Sequence, residues 1–310
     1  MTGNVRHNES SIRHTPYDGS HPPFRIGLQP LDLRNWIEVD DRLDFYLSEK
    51  ERLWALHPGK TFVAEPDTVA VQTEILDLIA AHVARRFPDI YRRDADRMFV
   101  NGRTVDLAAD EPALLTAARL VPEDLLVMRR DETGWRLVAG SLSFPTGWSL
   151  TEKFGRPMEQ IHGPVPGFGE GTRNAAMINR IFDSLQVAQP VWRMNWSIYS
   201  NDALYQGDHH AEHVRRMEAG LAAFLRVEYQ TLRKLPVSCD ILFTVRIHID
   251  PIALLERHPD CGHICSEFIR LLQAMDREQL EYKGMIGQRD LLISRLQAMS
   301  GSNHTRGTVS

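Results

Sequence analysis

Residues 240–250 alternate without a break. Ile241, Phe243, Val245, Ile247 and Ile249 fall on one side, and Leu242, Thr244, Arg246 and His248 on the other. Successive side chains point to opposite faces only in extended backbone, so this run specifies a strand with one wholly apolar face. Val191–Tyr199 is built the same way, with Trp192, Met194, Trp196 and Ile198 opposed to Arg193, Asn195 and Ser197. A strand over residues 221–232 places Arg226, Glu228 and Gln230 on one face, and residues 125–130 and 135–140 form a hairpin about Asp131-Glu132-Thr133-Gly134. Strands that follow one another in this way call for an antiparallel sheet.

Helices gather at the two ends. Residues 41–56 set Leu43, Leu47 and Trp54 near one side, and residues 68–87 carry Ile75, Ile79, Val83 and Phe87 at four-residue steps up to Pro88. A shorter helix is expected over 110–120, two more over 151–160 and 172–185 between the strands, and three over 252–256, 264–275 and 278–299. The pattern is α+β, one domain over residues 22–299. Residues 1–21, rich in Ser, His, Asn, Thr and Gly, read as a disordered leader, and 300–310 as a disordered tail.

The bulk numbers exclude several classes. A net charge of -5 gives no basic field for nucleic acid. No apolar run approaches the roughly 20 residues a bilayer requires, and the start of the chain lacks an apolar signal core. Cys239, Cys261 and Cys265 make no disulfide framework, so the chain is expected to be cytoplasmic and reduced.

The segment Thr151-Glu-Lys-Phe-Gly-Arg-Pro-Met-Glu-Gln-Ile-His162-Gly-Pro-Val-Pro-Gly-Phe168 carries the chemistry of most interest. Pro164 disfavours helix at Gly163, so the helix ends at Ile161-His162, and Pro164 and Pro166 stiffen the loop that follows. A His at a rigid helix end beside a loop short of bulky side chains suits a metal or haem-iron ligand, one ring nitrogen bonding the metal while the other is fixed by a hydrogen bond. The residues alone favour the plainer alternative, a His whose charge complements the helix dipole. Arg193, Arg226 and Arg246 each sit on the polar face of an expected strand. If those faces converge they form a cationic pocket for a carboxylate; if not, they are surface or ion-pair residues.

Other clusters carry less. His258, Cys261, His263 and Cys265 match no standard zinc spacing, and His209, His210 and His213 lie in a polar segment. Gly167-Phe-Gly-Glu-Gly171 follows a Pro-rich loop instead of a strand, which removes the context a dinucleotide loop needs.

One combination of motifs spans most of the chain, from about Trp54 to Lys283. Phe144-Pro145-x-x-Trp148 is followed by Lys153-x-Gly155-x-Pro157-x-x-x-Ile161-His162-x-Pro164-Val165-Pro166-Gly167 and by Arg193-x-Asn195-Trp196. Arg226-x-Glu228-x-Gln230-Thr231-Leu232-x-x-Leu235-Pro236 and Phe243-Thr244-x-Arg246 complete it. In this order they resemble the α-subunit-like family of haem-dependent oxidative N-demethylases; at Tyr229 the family more usually has Arg, a departure that bears on one pocket or partner contact.

The resemblance implies a PAS-like antiparallel sheet flanked by helices, haem b with His162 as its iron ligand, and a monooxygenase that removes an N-methyl group from a small amine as formaldehyde. The resemblance also implies a separate NAD(P)H-dependent reductase partner as the source of electrons, and this chain agrees in showing no electron-carrier motif of its own. Arg193, Arg246 and Asn195 are the expected catalytic residues, and Arg226, Trp196 and Pro164 join His162 in holding the cofactor. A non-catalytic haem or small-ligand sensor, or an assembly subunit, is the alternative, because fold does not fix function. His248 is the next choice as ligand. The substrate amine and the oligomeric state are not encoded legibly.

Overall fold

The computed structural model describes residues 12–207 and 223–304. In chain order its first half comprises β1 (Gln29–Pro30), α1 (Leu43–Leu56), α2 (Pro58–Thr61), β2 (Phe62–Ala64) and α3 (Val69–Arg86). A small meander follows, β3 (Tyr91–Asp94), β4 (Arg97–Val100) and β5 (Arg103–Asp106), and then α4 (Ala113–Ala118) and the expected hairpin, β6 (Asp124–Asp131) and β7 (Gly134–Ser141). Next come α5 (Leu150–Lys153), α6 (Met158–Ile161) and α7 (Arg173–Ser184). Three long strands, β8 (Val191–Tyr199), β9 (Phe224–Lys234) and β10 (Ile241–Pro251), precede α8 (Cys261–Ala274), α9 (Arg277–Tyr282) and α10 (Arg289–His304).

The fold is α+β. Its main sheet has seven strands in the order β1-β8-β9-β10-β6-β7-β2, every pair antiparallel, and β3-β4-β5 form a separate three-stranded sheet. Both faces of the main sheet are covered. Against one face pack α3 and α4, through Ile75, Ile79, Val83 and Ala117 on Leu125, Val127 and Leu242. Farther along that face α8 to α10 bury Phe268, Leu272 and Leu296 on Trp196, Ile198 and Val227. The opposite face, carrying Leu126, Met128, Leu137 and Leu232, is covered by the segment holding α5, α6 and α7.

Register fixes which side chains share a face. Arg193 pairs with Gln230, and Gln230 with Val245. Arg193, Asn195, Ser197, Arg226, Glu228 and Gln230 therefore share a face with the apolar side of β10, and Arg246 and His248 point the other way. The arginines do not converge. A bulge in the β6–β7 pairing has a related effect: Leu137 pairs with Met128 and Ala139 with Val127, so Val138 is the extra residue. Without it Leu137 and Gly140 would lie on opposite faces; with it both face the α5–α7 layer.

Two sequence expectations are corrected at the ends. From Ile12 the leader is packed, with Ile12 and Tyr17 buried beside Trp196 and Phe268, because its few apolar residues find the groove between the sheet and the C-terminal helices. At the other end α10 runs through Gly301 to His304, beyond the expected boundary at 300. The helix expected over 278–299 is split, since Gly284 and Gly287 adopt positive φ and turn the chain between α9 and α10. The helix expected over 151–160 is likewise two single turns, parted at Gly155 (φ 72°). His209, His210 and His213 lie outside the described residues.

Candidate functional site

Between the sheet and the α5–α7 layer lies a cavity with about 760 Å³ of empty space, its open mouth included. Its floor is the sheet, with Leu126 and Met128 of β6, Leu137 of β7, Arg193 of β8, Gln230 and Leu232 of β9, and Phe243 of β10. Its roof is Ile178, Ile181 and Phe182 of α7, together with Trp148, Met158, Ile161 and His162. Ile26 and Leu28, just before β1, close one side. Apolar walls with a few polar groups are what a binding site for an apolar, partly charged molecule requires.

His162 is placed by α6. That helix starts at Pro157, whose fixed φ suits the position before a first turn, and Gly163-Pro164 prevents it from continuing. As the C-terminal residue of this single turn, His162 donates its main-chain N–H to the Met158 carbonyl at 2.9 Å. Its Nδ1 lies 3.0 Å from the same oxygen. A carbonyl only accepts, so Nδ1 carries the proton and Nε2 keeps its lone pair. Among the described residues nothing hydrogen-bonds Nε2. Burial pushes the imidazole below its ordinary pKa, against the pull of the Met158 carbonyl and aided by the charges of Arg193 and Lys153. The ring is therefore a neutral donor at neutral pH, as metal ligation demands.

The second polar feature is Arg193. Its Nε is buried without a hydrogen-bond partner, and burial lowers its pKa despite the nearby Glu228. A desolvated guanidinium with an orphaned N–H is costly unless an anion completes it, and its forked donors match a carboxylate. Lys153 adds a second cation at the wall; its Nζ donates to the Ile161 carbonyl at 2.8 Å, which also ties α5 to the end of α6.

Behind Arg193 runs a polar chain. Gln230 Nε2 donates to Glu228 Oε2 at 2.9 Å, Asn195 Nδ2 donates to Glu228 Oε1 at 3.2 Å, and Lys283 Nζ lies 3.4 Å from Asn195 Oδ1. Lys283 is buried and pushed down to about 8 by that burial, partly offset by Glu228. Gln230 brings this chain to the cavity, so Asn195 is connected to the site without lining it.

The other sequence-derived candidates lie elsewhere. Arg226 shares the cavity face but is fully buried beyond it, where it donates to Phe144 O (2.8 Å), Thr146 Oγ1 (3.0 Å), and Pro145 O and Ala203 O (both 3.4 Å). Its donors are used in holding the Phe144-Pro145 loop. Arg246, on the opposite face, is paired with Asp40 at 2.7 Å and stacks 3.7 Å over Tyr46. Trp196 packs among the C-terminal helices and the N-terminal segment, and Pro164 is exposed. His248, the second choice as iron ligand, binds Glu38 on the opposite face. Tyr229 is also there, stacked on His14 and donating its hydroxyl to Asn35 O at 3.1 Å, so the departure from Arg at this position does not touch the cavity. Cys261 and Cys265 are buried core residues of α8 and His263 is exposed, so that group forms no site.

Sequence reading passed over Ile26, Leu28, Lys153, Gln230, Phe243 and Lys283 as site residues. Lys153, Gln230 and Phe243 fall inside the quoted motifs, which was the available signal; Ile26 and Leu28 carry none. An apolar cavity with a lone-pair imidazole at its roof and a guanidinium with an orphaned Nε–H at its floor suits a largely apolar group bearing carboxylates and a metal. Over residues 27–293 the chain matches the family described as haem-dependent oxidative N-demethylase, alpha subunit-like, and it belongs to that family.

Proposed function

We propose that this cavity binds haem b, with His162 Nε2 as the iron ligand, and that the chain is the haem-bearing subunit of an oxidative N-demethylase. One observation carries the reading: His162 is held neutral, with its free Nε2 lone pair at the wall of an apolar cavity that also contains an arginine whose buried Nε has no hydrogen-bond partner. Arg193 offers its forked donors to a propionate, and Lys153 supplies a second positive charge at the wall. Arg226 is left out of that role, because its donors already serve main-chain carbonyls.

Bound haem supplies oxidation of an N-methyl group at the expense of O₂ and of electrons from a reductase-type partner, the amine leaving demethylated and the carbon as formaldehyde. This chain's residues do the rest. The apolar walls exclude water. Gln230, whose Nε2 is taken by Glu228, keeps its Oε1 as the free amide atom to accept an N–H from a small methylated amine. Asn195 and Lys283 fix Glu228 and are positioning residues.

The test is to express the full chain with a haem precursor and to compare haem stoichiometry and visible spectrum for wild type, His162→Ala and Arg193→Gln. The expected result is one haem per wild-type chain, an altered spectrum with weak retention for His162→Ala, and weaker binding with an unchanged spectrum for Arg193→Gln. A colourless wild type would overturn the reading. With haem bound, formaldehyde release from methylated amines in the presence of reductant and O₂ separates a catalytic subunit from a sensor or assembly subunit.

A further inference from the structure

On the sheet face away from the cavity, three donor groups from distant parts of the chain meet. His248 is on β10, Glu38 precedes α1, and His14 comes from the packed N-terminal segment. His248 Nε2 lies 2.8 Å from Glu38 Oε2, and His14 Nε2 lies 2.9 Å from Oε1 and 3.2 Å from Oε2. The ligating atoms of all three are within 4.8 Å of one another. We propose that His14, Glu38 and His248 form a second metal site, separate from the cavity, that takes a divalent transition-metal ion such as zinc.

The donor set is the first argument. Two imidazoles and one carboxylate suit Zn²⁺ and related ions, and three protein ligands with a water in the fourth position is a standard zinc arrangement. Geometry is the second. Zinc bonds to nitrogen and oxygen of about 2.0–2.2 Å set tetrahedral ligand atoms roughly 3.3 Å apart, so the present contacts need to open by about half an ångström. The two rings meet at 72° with centroids 5.0 Å apart, so both can aim a nitrogen at one point instead of stacking. The Glu38 main chain is itself held, its N–H donating to Glu123 Oε1 at 2.8 Å. Access is the third. The side chains of Glu38 and His248 are almost fully buried, but that of His14 is 16% exposed, which leaves a path for the ion and its water.

Two cations lie near and must be accommodated. Arg246 is already matched by Asp40 at 2.7 Å. Arg13 Nε is 3.0 Å from Glu38 Oε1, but its side chain is 47% exposed and can swing into solvent. An ion here would staple the N-terminal segment to the sheet, with no part in the chemistry of the cavity.

Zinc binding to the chelator-stripped full chain, followed by calorimetry and by metal content after dialysis, tests the proposal. Wild type is expected to bind one equivalent that His14→Gln and His248→Gln each weaken at least a hundredfold. Arg13→Gln is expected to tighten binding several-fold, because a competing cation leaves. Zinc should raise the Tm of wild type and not of His14→Gln, a variant altered only in the N-terminal segment and so able to fold if His248→Gln does not. Failure of wild type to bind zinc, or binding unchanged by His14→Gln (as it would be if His209, His210 and His213 held the ion), overturns the assignment. Haem stoichiometry is measured on the same samples, so either reading can fail alone.

Discussion

His162 reaches back to Met158, its Nδ1 3.0 Å from the carbonyl that also receives its main-chain N–H at 2.9 Å. Both contacts come from one turn of helix, so ring orientation and tautomer are set by α6 and not by the ligand. Because burial, with Arg193 and Lys153, depresses the imidazole pKa, the neutral ring persists below the ordinary value of 6.5. Haem affinity is therefore expected to stay level from pH 8 to below pH 6.5 and to fall only in more acid solution. Titration of the visible spectrum against pH checks this, and a midpoint at or above 6.5 would contradict it. In His162→Gly, added imidazole is expected to restore the wild-type spectrum.

Arg246 and Asp40 make the opposite case, a charged pair that serves the fold. Arg246 is fully buried, and Asp40 Oδ2 at 2.7 Å balances it beneath Tyr46. Breaking a buried pair leaves a charge uncompensated, at a cost of about 3–5 kcal/mol. Asp40→Asn is expected to fall near the lower end of that range, since Asp40 is 20% exposed. Urea unfolding should show the loss, while haem stoichiometry of the folded fraction stays at the wild-type level. A stable Asp40→Asn protein that lost haem would instead tie Arg246 to the cavity.

How far the sequence carried differs between fold and site. The long strands were legible because their side chains alternate, and the helix of Val69–Arg86 because its apolar residues recur every fourth position. The three-stranded meander was not, because its four-residue strands are rich in Arg and Asp and half-exposed, although Asn101-Gly102 at its second turn is a hairpin signal. In the site, His162 and Arg193 could be named from motifs and do meet at one cavity. Arg246 could not be placed, since a strand's pattern says which side chains share a face but not which face of the neighbouring strand they join. That depends on register, where one residue reverses the answer. Ile26, Leu28 and His14 were beyond reach for another reason: scattered apolar and His residues in a polar stretch gain meaning only from the groove they occupy.

His82 gives the fold an acid-sensitive point. It is buried on α3 beside Trp36, its Nε2 has no partner, and burial, with Arg233, Arg85 and Arg86, pushes it down to about 4. A His held neutral in the fold and near 6.5 when unfolded favours the folded state fully above 6.5, and that preference is lost as pH falls toward 4. The effect is on the order of 2–3 kcal/mol. His82→Leu should therefore lose less stability than wild type between pH 7 and pH 4.5, as read from denaturant midpoints. Parallel curves for the two proteins would show that His82 protonates without opposing the fold.

Gly140 links the packing of the sheet to the size of the cavity. A Cβ there would meet Leu126 Cδ2 at 2.8 Å and Leu150 Cδ1 at 3.0 Å, too close for either to stay. In a closed core such overpacking costs about 1–3 kcal/mol. Leu126, however, lines the cavity and can move into it. Gly140→Ala is therefore expected to cost at most about 1 kcal/mol, the low end of that range, while the advancing wall weakens haem binding several-fold. Thermal unfolding and haem titration on one preparation measure both effects. A large fall in Tm with unchanged affinity would mean that Leu126 cannot yield toward the cavity and that the strain stays between β7 and α5.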